Sequence, residues 1–256
     1  MRTLLLVPIL LVAAAPVASQ QRDDSFKWEG QLAAGHQLEI NGVNGGITVR
    51  PASGQQARVR ATKHSKKSPL TSVEIRVIES SRGVKVCAVY PNSSGGECGA
   101  RERSERNGEN DVVVDFDVEL PAGVALEAAT VNGNIDAQGL RSDAEVSTVN
   151  GRIDLSTTGV AEASSVNGDV TLKFGSGSWT GTLEAETVNG AVVVELPAGG
   201  DLEFEASTVN GEITSDFPVT IQGKVSPREL RGTIGKGGRK LEMETVNGDV
   251  KLKKAG

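Results

Sequence analysis

The chain has 256 residues with a formal net charge of −6, only 3% aromatic residues and 31 glycines. An acidic balance argues against nucleic acid or an anionic membrane surface as the main partner, since both select basic proteins. Few aromatics and many glycines point to thin cores and frequent turns.

Met1 to Ser19 combine Arg2, an apolar run from Leu4 to Ala15, and the small residues Ala18 and Ser19. That order predicts a signal peptide over 1–19. A dozen apolar residues is short of the roughly 20 that a membrane-spanning helix needs. No cysteine follows the run, so a lipoprotein attachment site is absent. The protein is therefore expected to be exported, to the periplasm, the cell envelope or the medium.

A first Val-Asn-Gly, at Val43 to Gly45, precedes a long region without the motif. Strands are expected there near Ala57–Thr62, Val73–Ile78, Val84–Tyr90 and Val112–Leu120, as an inserted antiparallel region. Within it, Arg58, Arg60, Lys63, His64, Lys66 and Lys67 form a basic run, read as one solvated strand and turn. Cys87 and Cys98 are the only cysteines. In an oxidising compartment they are expected to pair and close the glycine-rich segment Pro91 to Glu97. Neither has a histidine within a few residues, which disfavours zinc. Asn92 opens a formal glycosylation sequon. The segment Asn107 to Asp117, with Glu109, Asp111, Asp115 and Asp117, has calcium-loop composition without the EF-hand spacing and reads as an acidic loop entering a strand.

From Ala125 onward the chain is repetitive. Val-Asn-Gly occurs seven times, with asparagine at Asn44, Asn132, Asn150, Asn167, Asn189, Asn210 and Asn247. A second phrase, Val-Glu-Leu-Pro-Ala-Gly, occurs at Val118 to Gly123 and Val194 to Gly199. Aligned on the asparagine, position −6 holds Leu38, Leu126, Ala144, Ala161, Leu183, Phe204 and Leu241. Position −4 holds Ile40, Ala128, Val146, Ala163, Ala185, Ala206 and Met243. Position +3 is always Ile or Val, and +5 is apolar in all units but one, where Ser215 stands. Apolar residues at alternate positions on both sides of a corner describe two half-buried strands joined by a tight turn. Asn and Gly suit the corner because both tolerate positive φ. The valine before each asparagine is expected to be buried.

Two architectures fit. Each Asn-Gly is a hairpin turn of an antiparallel meander, or each unit is one coil of a solenoid with equivalent strands stacked in parallel. Seven units in one register, four consecutive gaps of which are 17 to 22 residues, favour the solenoid. Stacked asparagines would then bond amide to amide along a column. The segment Phe217 to Arg239 reads as a second, smaller insertion. It contains the glycine-rich Gly232 to Gly238 with Lys236, which lacks a phosphate-loop pattern.

Five positions before every asparagine stands a glutamate: Glu39, Glu127, Glu145, Glu162, Glu184, Glu205 and Glu242. Alternation points them outward, and stacking would put them in one row. Adjacent members at the ~4.8 Å rung spacing repel by about 1 kcal/mol in water. Exposed charge keeps such a sheet soluble. A sharper reading is a cation-attracting stripe of Glu127, Glu145, Glu162, Glu184 and Glu205. No catalytic or cofactor-binding residue is assigned. The only histidines, His36 and His64, precede the main repeats, no nucleophile motif accompanies them, and the acids, such as Asp136 and Asp154, recur in columns. A carbohydrate-active β-helix enzyme is the alternative.

The Thr-Val-Asn-Gly phrases followed by alternating apolar residues, at Thr130 to Ile135, Thr148 to Ile153 and Thr245 to Val250, and the Leu-Pro-Ala-Gly at Leu120 to Gly123, resemble a bacterial β-strand-repeat family of unknown function often labelled as candidate adhesins. The likeness spans Phe26 to Lys253. It implies an all-β chain, a parallel β-helix of the single-stranded, pectin-lyase-like kind, with the antiparallel region inserted near the N-terminus. It supplies no catalytic residues. The expected organisation is thus 1–19 signal peptide, 20–125 N-terminal β region with the first repeat and the disulfide-bearing insertion, and 126–256 repeat solenoid. The expected role is a non-enzymatic envelope or secreted scaffold that binds a surface polymer, a partner protein or divalent cations.

Overall fold

A computed structural model describes residues 19–21, 24–91, 98, 110–175, 179, 181–199, 201–221 and 226–255. Residues 1–18 of the expected signal peptide, the sequon at Asn92 and Glu109 lie outside the described residues. In chain order, β1 (Ser19–Gln21) and β2 (Ser25–Gln31) lead to the first repeat, β3 (Gln37–Asn41) and β4 (Ile47–Pro51). The inserted strands are β5 (Gln56–His64), β6 (Glu74–Ser80), β7 (Gly83–Val89) and β8 (Val113–Leu120). Three repeats follow as β9 (Ala125–Asn132) with β10 (Ile135–Leu140), β11 (Ala144–Asn150) with β12 (Ile153–Thr157), and β13 (Ala161–Asn167) with β14 (Val170–Lys173). Two more are β15 (Thr182–Asn189) with β16 (Val192–Leu196), and β17 (Leu202–Asn210) with β18 (Ile213–Ser215). The second insertion gives β19 (Thr220–Ile221) and β20 (Glu229–Ile234), and the last repeat is β21 (Lys240–Asn247) with β22 (Val250–Lys254).

These strands form two mixed sheets of eleven. The first runs β1-β2-β5-β8-β4-β10-β12-β14-β16-β22-β18, and the second β19-β20-β17-β21-β15-β13-β11-β9-β3-β7-β6. Each Val-Asn-Gly carries the chain from the second sheet to the first, so the strands flanking it do not pair with each other. Equivalent strands of successive repeats pair in parallel without slippage at the corner, asparagine opposite asparagine.

The inward columns form a continuous core. Leu126, Val146, Ala163, Leu183, Leu241 and Phe204 from one sheet meet Ile135, Leu155, Leu172, Val194 and Leu252 from the other, all at most 4% exposed. Each fully buried Leu, Ile or Val contributes about 1.5–3 kcal/mol of transfer free energy. Most rungs carry alanine on one side and a larger residue on the other, which lets the sheets approach closely with few aromatics.

Position −2 is also inward. Thr130, Thr148, Ser165, Thr187, Thr208 and Thr245 are 1–5% exposed, and each hydroxyl donates to a glycine carbonyl of the adjacent corner, as Thr148 does to Gly133 at 2.9 Å and Thr187 to Gly168 at 2.8 Å. A buried hydroxyl is tolerated only with such a partner. The expectation that the motif valine is buried is therefore corrected: Val149, Val166, Val188 and Val209 are 39–50% exposed. Positions −5 and −1 share a parity, so the alternation that turns the glutamates outward turns the valines outward as well.

The order of the rungs departs from the order of the sequence. The last repeat lies between the fifth and the sixth, because β21 pairs with both β15 and β17. The outer edge of β17 is taken by β20, antiparallel, and β19 follows it. The insertion thus covers the edge of one sheet, and the C-terminal strands are paired on both sides.

At the opposite end the inserted region is antiparallel only in part. β7 and β8 pair in parallel with β3 and β4 and act as a further rung, while β6 edges the second sheet and β5, β2 and β1 extend the first, all antiparallel. Both sheets run without interruption across residues 125 and 126. Cys87, on β7, is joined to Cys98 by a disulfide with the Cα atoms 5.5 Å apart. Closing a loop of this length stabilises by about 3 kcal/mol in the chain-entropy picture.

The basic run divides between faces. Arg58 bridges Glu119 at 2.7 Å and Glu29 at 3.5 Å. Lys63 turns inward, 4% exposed, and donates to the carbonyl of Val73 at 2.9 Å. In the acidic segment, Asp111 accepts backbone N–H groups of Ser68, Lys66 and Lys67 at 2.8–3.0 Å. These bonds, Ser68's first, hold its carboxyl at about 2. Asp111 thus staples the loop after β5. In the glycine-rich segment the Lys236 N–H donates to Asp201 Oδ1 at 2.9 Å, tying the crossover from β20 to β21 to the start of β17.

Candidate functional site

The outer face of the second sheet carries the periodic chemistry. The register aligns Glu39, Glu127, Glu145, Glu162, Glu184, Glu242 and Glu205, in that spatial order. All five residues of the suggested cation stripe lie in this row, with Glu242 between Glu184 and Glu205. Position −3 follows as Asn41, Ala129, Ser147, Ser164, Glu186, Glu244 and Ser207, then the outward valines, then the asparagines at the corner.

The asparagines form an unbroken chain of side-chain bonds. Asn132 Nδ2 donates to Asn44 Oδ1, and the pattern repeats through Asn150, Asn167, Asn189, Asn247 and Asn210 at 2.8–2.9 Å. The ladder follows the spatial order of the rungs, swap included. It fixes the corner on one edge of the face and holds the glutamate row at constant spacing.

Cations meet the row at its two ends. Lys85 Nζ is 2.7 Å from Glu39, and Gln37 Nε2 donates to Glu127 at 2.6 Å. At the other end Arg231 reaches Glu205 at 2.6 Å and Glu229 at 2.9 Å. Between them the rungs of Glu184 and Glu242 also bring Glu186 opposite Glu244, four carboxylates on two adjacent strands. Partial burial, then Glu242 and Glu186, raise the Glu184 carboxyl above its usual range. Burial, then Glu244, Glu162 and Glu242, do the same to Glu186. Burial, then Glu39 and Glu145, raise Glu127 against the pull of Gln37 and Lys85.

A carboxyl raised above its unfolded value of 4.5 contributes stability that is full below that pH and is lost as pH rises through the folded value. Glu184→Gln is accordingly expected to raise the melting temperature at neutral pH and low salt, by relief of about 1 kcal/mol of repulsion. The gain should shrink as salt is added or as pH falls toward 4.5. An unchanged or lowered melting point at neutral pH would show that the row is not under repulsion there.

Where the −3 column is small, the face is hollowed. A groove of about 360 Å³ is lined by Glu39, Lys85, Glu127, Glu145, Ser147 and Val149, among others. Ala129 and Ser147 line its middle, with Glu39, Glu127 and Glu145 on one side and Val149 on the other. A smaller hollow, about 190 Å³, flanks Glu205, Arg231 and Glu242 at the far end.

Residues 117–253, more than half of the chain, match the model of one family. The chain belongs to the Toastrack DUF4097 family. A solved structure of a proposed cell adhesion protein from Clostridium sporogenes is similar at a TM-score of 0.42 and 10% identity, over 90% of this chain and 99% of that one. A candidate adhesin from Bacteroides fragilis is similar at 0.36 and 11%, over 90% and 98%. No curated protein sequence matches the chain.

Elsewhere on this Toastrack chain the titratable groups stand in local pairs. Asp136 and Asp154 are neighbours across β10 and β12, and Asp154 is held by Lys173 at 3.1 Å and Gln138 at 2.9 Å. His64 Nδ1 lies 3.6 Å from Asp115, both side chains exposed. His36 lines a separate hollow beside Trp28 and Glu79. Among the described residues no three His, Cys, Asp or Glu side chains are gathered as a metal site, and no helix is long and apolar enough to cross a membrane.

Proposed function

We propose that this Toastrack chain is an exported, non-enzymatic β-solenoid that serves as an adhesin-like scaffold of the cell envelope, and that the outer face of its second sheet is the binding surface. The observation that carries this reading is the row of glutamates beside a column of outward valines on one face, repeated at the rung spacing and hollowed into a groove at Glu39, Glu127, Glu145 and Val149. Such a face suits a partner that presents positive charge beside apolar groups along a line, as a basic, amphipathic stretch of a surface protein does. The disulfide fits an oxidising compartment, and the two-sheet stack of parallel rungs is read as a flattened β-helix. The non-enzymatic part rests on the arrangement of the acids, which run along the stack instead of facing each other across a cleft. Divalent cations are a second class of partner for the same row.

A fluorescent peptide alternating lysine and leucine tests the surface. It is expected to bind in a salt-sensitive manner, more weakly by about tenfold when Glu145 and Glu162 are both changed to glutamine, from the loss of two partly exposed charge pairs of about 0.5–1 kcal/mol each. Val149→Ser with Val166→Ser should weaken it without changing the salt dependence. Equal binding by all three proteins would place the partner elsewhere. Calcium is tested in parallel by calorimetric melting against chelator, where no shift at millimolar concentration would remove cations from the proposal.

A further inference from the structure

Asparagine followed by glycine is the dipeptide most open to spontaneous deamidation, because glycine has no side chain to hinder its own backbone nitrogen from attacking the preceding amide carbon. Nine such pairs occur in the chain, and seven stand at the corners of this fold; of the other two, Asn41-Gly42 has its glycine N–H bonded to the Ala129 carbonyl at 2.7 Å, and Asn107-Gly108 lies outside the described residues. The stack protects most of the seven in one way. The N–H of Gly45, Gly133, Gly151, Gly168, Gly190 and Gly248 donates to the asparagine carbonyl of the next rung at 2.9–3.0 Å. In each of those pairs the asparagine Oδ1 also accepts from the next asparagine along the ladder. Nucleophile and amide are thus both restrained by bonds to the next rung.

The sixth repeat is the outermost rung, as a result of the swap with the last one, and β20 covers β17 only as far as the pairing of Ser207 with Glu229 and the bond from the Thr208 N–H to the Arg228 carbonyl. No rung lies beyond Asn210 and Gly211. Among the described residues the Gly211 N–H has no acceptor, and Asn210 donates to Asn247 with nothing donating to its own Oδ1. Gly211 is also the one corner glycine of the seven that is exposed.

We propose that Asn210 is a modification site, the one corner of this stack that deamidates readily in the folded protein without an enzyme. The Gly211 nitrogen bonds to Asn210 Cγ, the Cγ–Nδ2 bond breaks, and the proton of the Gly211 N–H leaves with the amide as ammonia. Water then opens the succinimide at either carbonyl to give aspartate or isoaspartate. The product places a carboxylate against the Oδ1 of Asn247, where an amide donor had been, and the isoaspartyl form lengthens the main chain by one methylene at the end of the stack. The terminal rung, and with it the anchorage of the second insertion, is loosened first.

The test is peptide mapping by mass spectrometry of the whole purified chain, incubated folded in mildly alkaline buffer and, separately, in urea. Folded, Asn210 is expected to convert about tenfold faster than any other motif asparagine, the effect of two absent hydrogen bonds of ordinary net strength. In urea all seven should convert at comparable rates. Asn210→Gln, which cannot form the five-membered ring readily, should remove the fast component and leave the melting point of the fresh protein within the effect of one terminal ladder bond. Even conversion across the seven corner sites in the folded chain, a faster site at another corner, or a fast component among the corner peptides that survives Asn210→Gln would each overturn the proposal.

Discussion

Gly151→Ala is expected to destabilise the protein by about 3 kcal/mol, at the upper end of what overpacking a close contact costs. The motif glycines after the first are stacked so that each one's α-carbon faces the glycine carbonyl of the neighbouring corner, while that of Gly45 faces the Val114 carbonyl. A β-carbon on Gly151 would sit far inside van der Waals distance of the Gly133 carbonyl, and the obstacle is main chain, which has no rotamer to yield. The rungs would have to part locally. That separation would stretch the bond from the Gly133 N–H to the Asn150 carbonyl, at 3.0 Å, and that from the Thr148 hydroxyl to the Gly133 carbonyl, at 2.9 Å. Gly54→Ala is the control, because a β-carbon there meets nothing within 4 Å, and a substitution of that kind changes stability by no more than about 0.5 kcal/mol. Urea unfolding of the two variants measures the difference. Equal midpoints would mean that the glycine serves only the turn.

The second large effect is alkaline unfolding driven by Tyr90, the only tyrosine in the chain. Its ring is 3% exposed, and its hydroxyl donates to the carbonyls of Val112 at 2.9 Å and Asn44 at 3.3 Å. Burial pushes its pKa up to about 12 from 10.0; the Asn44 bond opposes the shift and Asp115 adds to it. Because the folded value is raised, the contribution to stability is whole below pH 10 and disappears as pH climbs to about 12. Over that window the loss reaches about 3 kcal/mol. Tyrosinate absorbance is expected to rise with a midpoint near 12, together with the loss of the circular dichroism signal. In Tyr90→Phe the alkaline step should flatten, at a cost near neutrality of about 1 kcal/mol for the hydrogen bonds removed. A midpoint at 10 with the fold intact would show the phenol to be solvated. The bonds at stake join the first corner to the entry of β8, so the disulfide-bearing end of the stack would open first.

Both effects arise from features read differently at the two levels. The glutamate row, the asparagine at each corner and the alternating core were legible in the sequence because each depends on spacing within one repeat, and a two-residue period puts a fixed parity on each face. The same parity placed the motif valine outside and the preceding threonine inside, and the expectation of a buried valine gave weight to its apolarity over its position. The threonines carried the missed signal, since a hydroxyl recurring at an inward position implies a recurring acceptor, supplied here by the stacked glycine carbonyls.

Local periodicity determined by itself that this chain is all-β, that its corners are Val-Asn-Gly and that seven carboxylates share one face, because these follow from which side of a strand each residue takes. Only the tertiary structure decided the order of the rungs. All seven repeats present nearly the same edge to a neighbour, so no local preference tells the last from the sixth. The choice fell to the second insertion, whose β20 occupies the outer edge of β17 and leaves the inner edge for β21. The same long-range pairing drew the first insertion into both sheets, joined Cys87 to Cys98, and left Asn210 and Gly211 at the uncovered end. The residues of the candidate face were therefore written in the repeat, and its continuity, its groove and its exposed terminus came from how the repeats were stacked.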